Sequence, residues 1–357
     1  MRLLYDRDAR EEKPMHSMTS REIVKRAIHF QTPPRLPVSF GALGVSDFAW
    51  CPRQETPEER ARSAAQCIDI WGCRWEATDV PNMGQVKGHP IADPHDLRSL
   101  IVPDYTDDRR YCGILDTLDQ AEADGRYVLS GIFMVLVERL EALLGFEHLF
   151  AGLLDDDTRP ALERLADIIV DMHVTLVRET ARRFPGRIHG WNMSDDWGTQ
   201  TAAFVGFDLW MDFFFPRYQR IFAAMHEAGC DVWVHSCGKI NEIIEGYIRA
   251  GVNVVNLQQP RCLGITEVGD RFRGRIAFET LADIQHTLPT GDPAAIAADA
   301  RDLGRHWALP TGGLVFSDYG DGRAIGVKDD SAKRVMYEAF SRLSESLYGA
   351  PLPPINQ

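Results

Sequence analysis

Two side chains in the stretch Asp231-Val-Trp-Val-His-Ser-Cys-Gly238 can ligate a metal from a single strand tip. The valines and tryptophan read as a buried strand that Gly238 ends. Side chains alternate along a strand, so His235 and Cys237 leave its end on the same side. An imidazole beside a thiolate suits zinc or another borderline-soft metal. The plainer alternative is a pair of core residues, because His and Cys are both often buried. A closed site also needs a third and usually a fourth ligand.

The surrounding elements decide where that tip sits. Strand-like stretches at 37–40, 73–80, 126–133, 187–196, 231–238, 252–257, 276–280 and 312–317 alternate with helical ones. Thr19 and Glu22 form a capping box for the first helix, and Asp292 before Pro293 opens a later one. Pro216 interrupts the helical stretch 207–228 and predicts a kink or two shorter helices there. Strands alternating with helices favour a parallel α/β barrel over an open doubly wound sheet. The latter would carry a Gly-x-Gly-x-x-Gly loop after strand one, where Gly41-Ala-Leu-Gly44 stands instead. The expectation is a single (β/α)8 TIM barrel over residues 18–357, preceded by a charged N-terminal arm at 1–17.

Reactive groups in such a barrel come from the C-terminal strand ends. Strand two offers Glu76 and Asp79, and strand four offers Asn192, Asp195, Asp196 and Trp197. Strand five gives His235 and Cys237, strand six Gln258 and Gln259, strand seven Glu279, and strand eight Asp318 and Tyr319. Each has a plainer role. Asp195-Asp196 can cap a turn, Glu279 can pair with a buried arginine, and Trp210 with Phe213 to Phe215 can be helix core.

Composition narrows the partners. A formal charge of −13 leaves no basic surplus for phosphates, so nucleic acid is not expected. Seven cysteines, an odd number without a CxxC pair, fit a reducing compartment. Neither an apolar leader nor a spanning apolar run is evident, so a cytoplasmic protein without a membrane partner is expected.

Three stretches in order make the chain resemble the uroporphyrinogen decarboxylase superfamily. They are Ser194-Asp-Asp-Trp-Gly-Thr-Gln200 with Phe215-Pro-Arg-Tyr218, Val234-His-Ser-Cys-Gly238 with Ala250-Gly-Val252, and Asp283-Ile-Gln-His-Thr-Leu-Pro289. The porphyrinogen decarboxylases carry arginines after strand one to meet substrate carboxylates. Phe40-Gly-Ala-Leu-Gly-Val-Ser-Asp47 has none, and Tyr319 stands near their strand-eight histidine. The cobalamin-linked methyltransferase branch instead has His-x-Cys after strand five, which His235 and Cys237 match. That resemblance implies zinc, which holds a thiol as thiolate.

The branch's strand-eight cysteine is missing, so Asp318 or Glu279 is expected to complete the metal shell. Gln258 stands where related cobalamin-independent methionine synthases place a glutamate. The resemblance therefore implies a demethylase-type methyltransferase that moves a methyl group between a small methylated substrate or thiol and a corrinoid protein. Cobalamin would be carried by that partner, and the chain would form a homodimer. His235, Cys237, Glu279 and Asp318 are the expected metal ligands, and Asp195, Asp196 and Tyr319 the catalytic groups. Glu76, Trp191, Asn192, Trp197 and Gln258 are expected to meet the substrate, with the aromatic side chains suiting a small ring. The alternatives are a metal-free decarboxylase or lyase acting on a non-porphyrin acid, and a non-catalytic corrinoid or small-molecule binder.

Overall fold

Short apolar segments pair into one sheet in the computed structural model, which describes residues 18–81 and 84–355. The expected arm at 1–17 lies outside the described residues. The strands are β1 (Val38–Phe40), β2 (Val45–Ser46), β3 (Phe48–Trp50), β4 (Arg74–Glu76), β5 (Gln85–Gly88) and β6 (Tyr127–Phe133). They continue with β7 (Gly190–Ser194), β8 (Asp231–His235), β9 (Val254–Leu257), β10 (Ala277–Thr280) and β11 (Leu314–Ser317). The sheet order is β2-β1-β11-β10-β9-β8-β7-β6-β3, with every pairing parallel except β1 with β2. The result is a nearly closed, barrel-shaped parallel sheet with helices between its strands.

The gap between β1 and β3 is bridged by Asp47. Its backbone N–H donates to the Val38 carbonyl at 2.7 Å, and its carbonyl accepts from the Tyr127 N–H at 2.9 Å. Its buried carboxylate accepts from the Val38 N–H at 2.9 Å, from the Ser20 hydroxyl at 2.6 Å and from both ends of the Arg35 guanidinium. One side chain thus joins the first helix, Ser20–Ile28, to β1 at the seam.

Alternation along the strands sorts the core. Phe48, Tyr127, Leu129, Trp233, Val254, Ala277 and Val315 pack together inside the barrel, and Val24 and Ile28 of the first helix plug its lower end. Residues of opposite parity pack outward against the helices. The next inward positions above Trp233, Val254 and Ala277 are His235, Asn256 and Glu279, which begin the mouth.

Thr19 and Glu22 form the expected capping box, and the Asp292 carboxylate accepts from the Ala294 N–H. A π-helical turn, Trp210–Phe214, separates Phe207–Leu209 from Phe215–Glu227, so the interruption falls just before Pro216. The expected second strand at 73–80 is corrected. Arg74–Glu76 pairs antiparallel with Gln85–Gly88 in a ribbon of its own, and Phe48–Trp50 takes the place beside β6. The ribbon strand alternates exposed, half-buried, exposed, a pattern that cannot serve a strand covered on both faces. Among the described residues no helix is long and apolar enough to cross a membrane.

Two tests follow from these contacts. Asp47→Ala leaves the Arg35 charge and the Val38 N–H without their partner, and is expected to lower the unfolding free energy by about 3–5 kcal/mol in urea titration. Burial pushes the imidazoles of His173 and His189 down to about 4. Their folded-state pKa lies below the unfolded value of about 6.5, so stability is lost as pH falls through 6.5 toward 4. At pH 5 the loss is up to about 2 kcal/mol per imidazole. The thermal midpoint should fall between pH 7 and pH 5, and by less in His173→Gln.

Candidate metal centre at the barrel mouth

Parallel pairing sets four inward residues in one row. Ser194 lies opposite His235, His235 opposite Asn256, and Asn256 opposite Glu279. The His235 Nδ1 is 2.7 Å from the Asn256 amide oxygen, which can only accept, so the ring proton sits on Nδ1. Asn256 is in turn hydrogen-bonded to the buried Glu279. This chain leaves the Nε2 lone pair free to face the loops above, as an outer-shell partner does for a metal-binding histidine.

Two further groups converge on Nε2. The Cys237 sulfur is 3.4 Å from it, and an Asp196 carboxylate oxygen is 3.5 Å from it. One ligand atom each from Asp196, His235 and Cys237 lies within 4.8 Å of the others. Zinc bonds of about 2.0–2.3 Å at tetrahedral angles set ligand atoms roughly 3.3–3.7 Å apart. The three residues therefore fit one zinc-sized ion, with room for a fourth ligand from water or substrate.

The loops after β7 and β8 create this convergence. Gly238 has φ +81°, and a Cβ there would collide with the Gly198 carbonyl, so the two loops touch through bare backbone. The Lys239 N–H donates to the Thr199 carbonyl at 2.8 Å, and the Cys237 N–H donates to Asp196 at 2.8 Å. Burial, reinforced by the Asp196 charge, pushes the Cys237 thiol well above its ordinary range. A bound cation would reverse that bias by favouring the thiolate.

The structure divides the other sequence-predicted residues. Asn192 shares the inward parity of Ser194 and lines a cavity beside the centre. Gln258 is half-buried beyond β9, and its carbonyl accepts from the Ile284 N–H. Tyr319 is half-buried just beyond the end of β11, and burial raises its phenol above the ordinary value. Glu279 stands behind Asn256 in the row, one step removed from the three ligand atoms.

Five placements depart from expectation. Asp195 has outward parity and is wholly buried. It accepts from the N–H groups of Leu136, Val137 and Glu138 at 2.8–3.0 Å and from the Tyr218 hydroxyl. It thereby caps the helix Val137–Leu144, with both carboxylate oxygens engaged away from the mouth. Trp191, also outward, is buried against the helix Arg159–Arg183. Trp197 is fully buried, donates to the Tyr218 hydroxyl at 3.0 Å and packs on Phe214, so neither indole faces the mouth. Asp318 follows Ser317 with outward parity and pairs with the buried Lys333 at 3.1 Å. Glu76 sits on the ribbon, half-exposed and paired with Arg74.

One mouth residue went unnamed in the sequence reading. Glu138 accepts from the Ser194 hydroxyl at 3.1 Å. Burial, then the charges of Asp196 and Asp195, push its carboxyl up to about 9, so it holds a proton at neutral pH. Its position just after the third strand's end was the available signal.

No protein-family model matches the chain, and no curated protein matches it. Solved structures do. A methyltransferase from Methanosarcina mazei superposes with a TM-score of 0.62 at 14% identity, covering 89% of this chain and 99% of that one. The chain shares its barrel fold. Xylanase 10B from Thermotoga maritima gives a TM-score of 0.42 at 11% identity, over 92% of this chain and 100% of that one. That likeness is too distant to bear on the site.

The division between the two aspartates can be tested in chelator-treated protein. Asp195→Ala strands three backbone donors and a phenol, and should cost about 3 kcal/mol or more. Asp196→Asn, at a more open position, should stay within about 0.5 kcal/mol. Urea unfolding of both variants measures the difference.

Proposed function

We propose that the chain is a corrinoid-linked methyltransferase of the demethylase type, related to the uroporphyrinogen decarboxylase superfamily. In this reading His235, Cys237 and Asp196 hold a zinc ion at the barrel mouth. The observation that carries it is that the Cys237 sulfur and an Asp196 oxygen lie 3.4 and 3.5 Å from His235 Nε2, all three within 4.8 Å of one another, with Nε2 left free because Nδ1 is engaged. The Methanosarcina methyltransferase supports it through the shared fold. Asp196 takes the ligand role expected of Asp318 or Glu279.

The bound zinc would supply a Lewis acid that keeps a sulfur or oxygen group anionic near neutral pH. This chain's own residues do the rest. Asn256 holds the Nδ1 proton and fixes the imidazole plane, and Glu279 holds Asn256. Glu138, protonated beside Ser194, can deliver a proton to a group that loses its methyl. Tyr319 borders the same space. The methyl acceptor or donor would be a corrinoid on a separate, partner protein, and the enzyme a cytoplasmic homodimer.

A second reading, a metal-free decarboxylase or lyase, is favoured by Glu138 alone, since a buried neutral carboxyl can also protonate a carbanion.

Metal analysis separates the two. The purified chain should carry about one zinc, and His235→Ala or Cys237→Ser should lose it. Asn256→Ala, which removes only the outer partner, should weaken zinc binding by about 10–100-fold. Growth of methyl–cobalt absorbance with a corrinoid protein should vanish in His235→Ala. A metal-free chain whose turnover survives that substitution would overturn the proposal.

A further inference from the structure

Beside the metal centre a cavity of about 680 Å³ opens between the barrel mouth and the chain from Trp50 to Trp75. Its wall is aromatic: Trp50, Trp71, Trp75, Tyr105 and Phe133 all line it. Gly131 forms part of the floor, and the Trp50 ring comes within 3.7 Å of where a Cβ would stand there. Trp75 leans on Phe133 with ring centroids 6.0 Å apart. Ser194 belongs to the row that leads to His235, and Asn192 lies one inward position below it, so the cavity reaches the centre's edge.

One carboxylate fixes the part of the wall that carries Trp71 and Trp75. Asp69 accepts from the backbone N–H groups of Trp71 and Cys73 at 3.0 and 2.9 Å, and from the Trp75 indole at 3.4 Å. It also pairs with Arg139 at 2.9 Å, and that guanidinium lies 5.1 Å from the centre of the Trp71 ring. A loop that would otherwise carry two tryptophans freely is therefore fixed.

Two lining residues hold polar atoms that the protein leaves unused. Arg139 is 4% exposed and His173 is 3% exposed. The Arg139 Nε donor and the His173 Nδ1 have no partner. His173 Nε2 donates to the Val135 carbonyl at 2.8 Å, so Nδ1 is a bare acceptor. Both atoms are closed off from the cavity surface, so the polar contact falls to Asn192, which lines the cavity and is only half-buried. The charged lining groups balance, Arg53 and Arg139 against Glu55 and Asp69. Such a wall does not select a polyanion.

We propose that this cavity binds an uncharged aromatic ring bearing ether and hydroxyl oxygens, an O-methylated phenol. The Asn192 amide can donate to an ether oxygen and accept from a hydroxyl, and the ring suits the indoles. A single ring fills a cavity of about 150 Å³, so substituents or a second ring also fit. As the substrate pocket of the methyl transfer proposed above, this inference rests on that reading; as a ring-binding cavity it stands on the lining alone.

Ligand-observed NMR titration of the full chain with 2-methoxyphenol tests it, with cyclohexanol as the non-aromatic control. The expected result is saturable binding of 2-methoxyphenol and at least ten-fold weaker binding of cyclohexanol. Trp50→Ala removes a ring that is 51% exposed, so folding is spared, and should weaken 2-methoxyphenol at least ten-fold. Gly131→Val fills the floor instead and should weaken it likewise. Failure to saturate, equal binding of cyclohexanol, or wild-type affinity in both cavity variants would overturn the inference. Ring binding by a chain that holds no zinc would overturn the metal reading and leave the cavity assignment standing. Zinc without ring binding would do the reverse.

Discussion

A β-strand sends only every second side chain into a barrel, and the mouth of this protein follows from that constraint. Trp233, Val254 and Ala277 fill the interior, so His235, Asn256 and Glu279 must rise above them as the next inward layer. Ser194 joins the row from β7. The same rule turns Asp195 and Asp318 outward, one into a helix N-terminus and the other onto Lys333. For these two carboxylates parity decides the structural role before any energetic difference enters.

The ligand set is completed where parity ceases to apply. Beyond the strand ends, Gly198 and Gly238 let two loops touch at backbone distance, and Asp196 is carried beside Cys237. Burial and the Asp196 charge disfavour the free thiolate, while a cation would favour it. The row beneath supplies orientation, since Nδ1 is committed to Asn256 and only Nε2 can bind. Ser194 also lines the aromatic cavity. One strand position therefore borders both the place where a ring can lie and the row beneath the place where an ion can sit.

Much of this was legible in the sequence, and the exceptions share a cause. Strong local signals held: the Thr19–Glu22 box, the Asp292–Pro293 start, the break at Pro216, and the His235–Cys237 pair on one face. The second strand was misassigned because Arg74–Glu76 is a real strand whose partner is local, while β3 has only three residues and no distinctive pattern. A second capping box, Thr56 with Glu59 and Pro57 between, marked the helix Pro57–Gln66 and would have moved the strand upstream. Trp191 and Trp197 were assigned to the mouth on residue type, where parity and burial place them in the core. Asp196 was named for catalysis and Glu138 not at all, because loop contacts between distant strand ends leave no periodic trace.

Zinc K-edge X-ray absorption of the purified chain tests the central claim most directly. The account predicts a four-coordinate shell with one sulfur at about 2.3 Å and nitrogen or oxygen neighbours at about 2.0–2.1 Å. The zinc edge should be lost in both Cys237→Ser and His235→Ala. A zinc-free protein, or a bound zinc whose shell contains no sulfur, would contradict it.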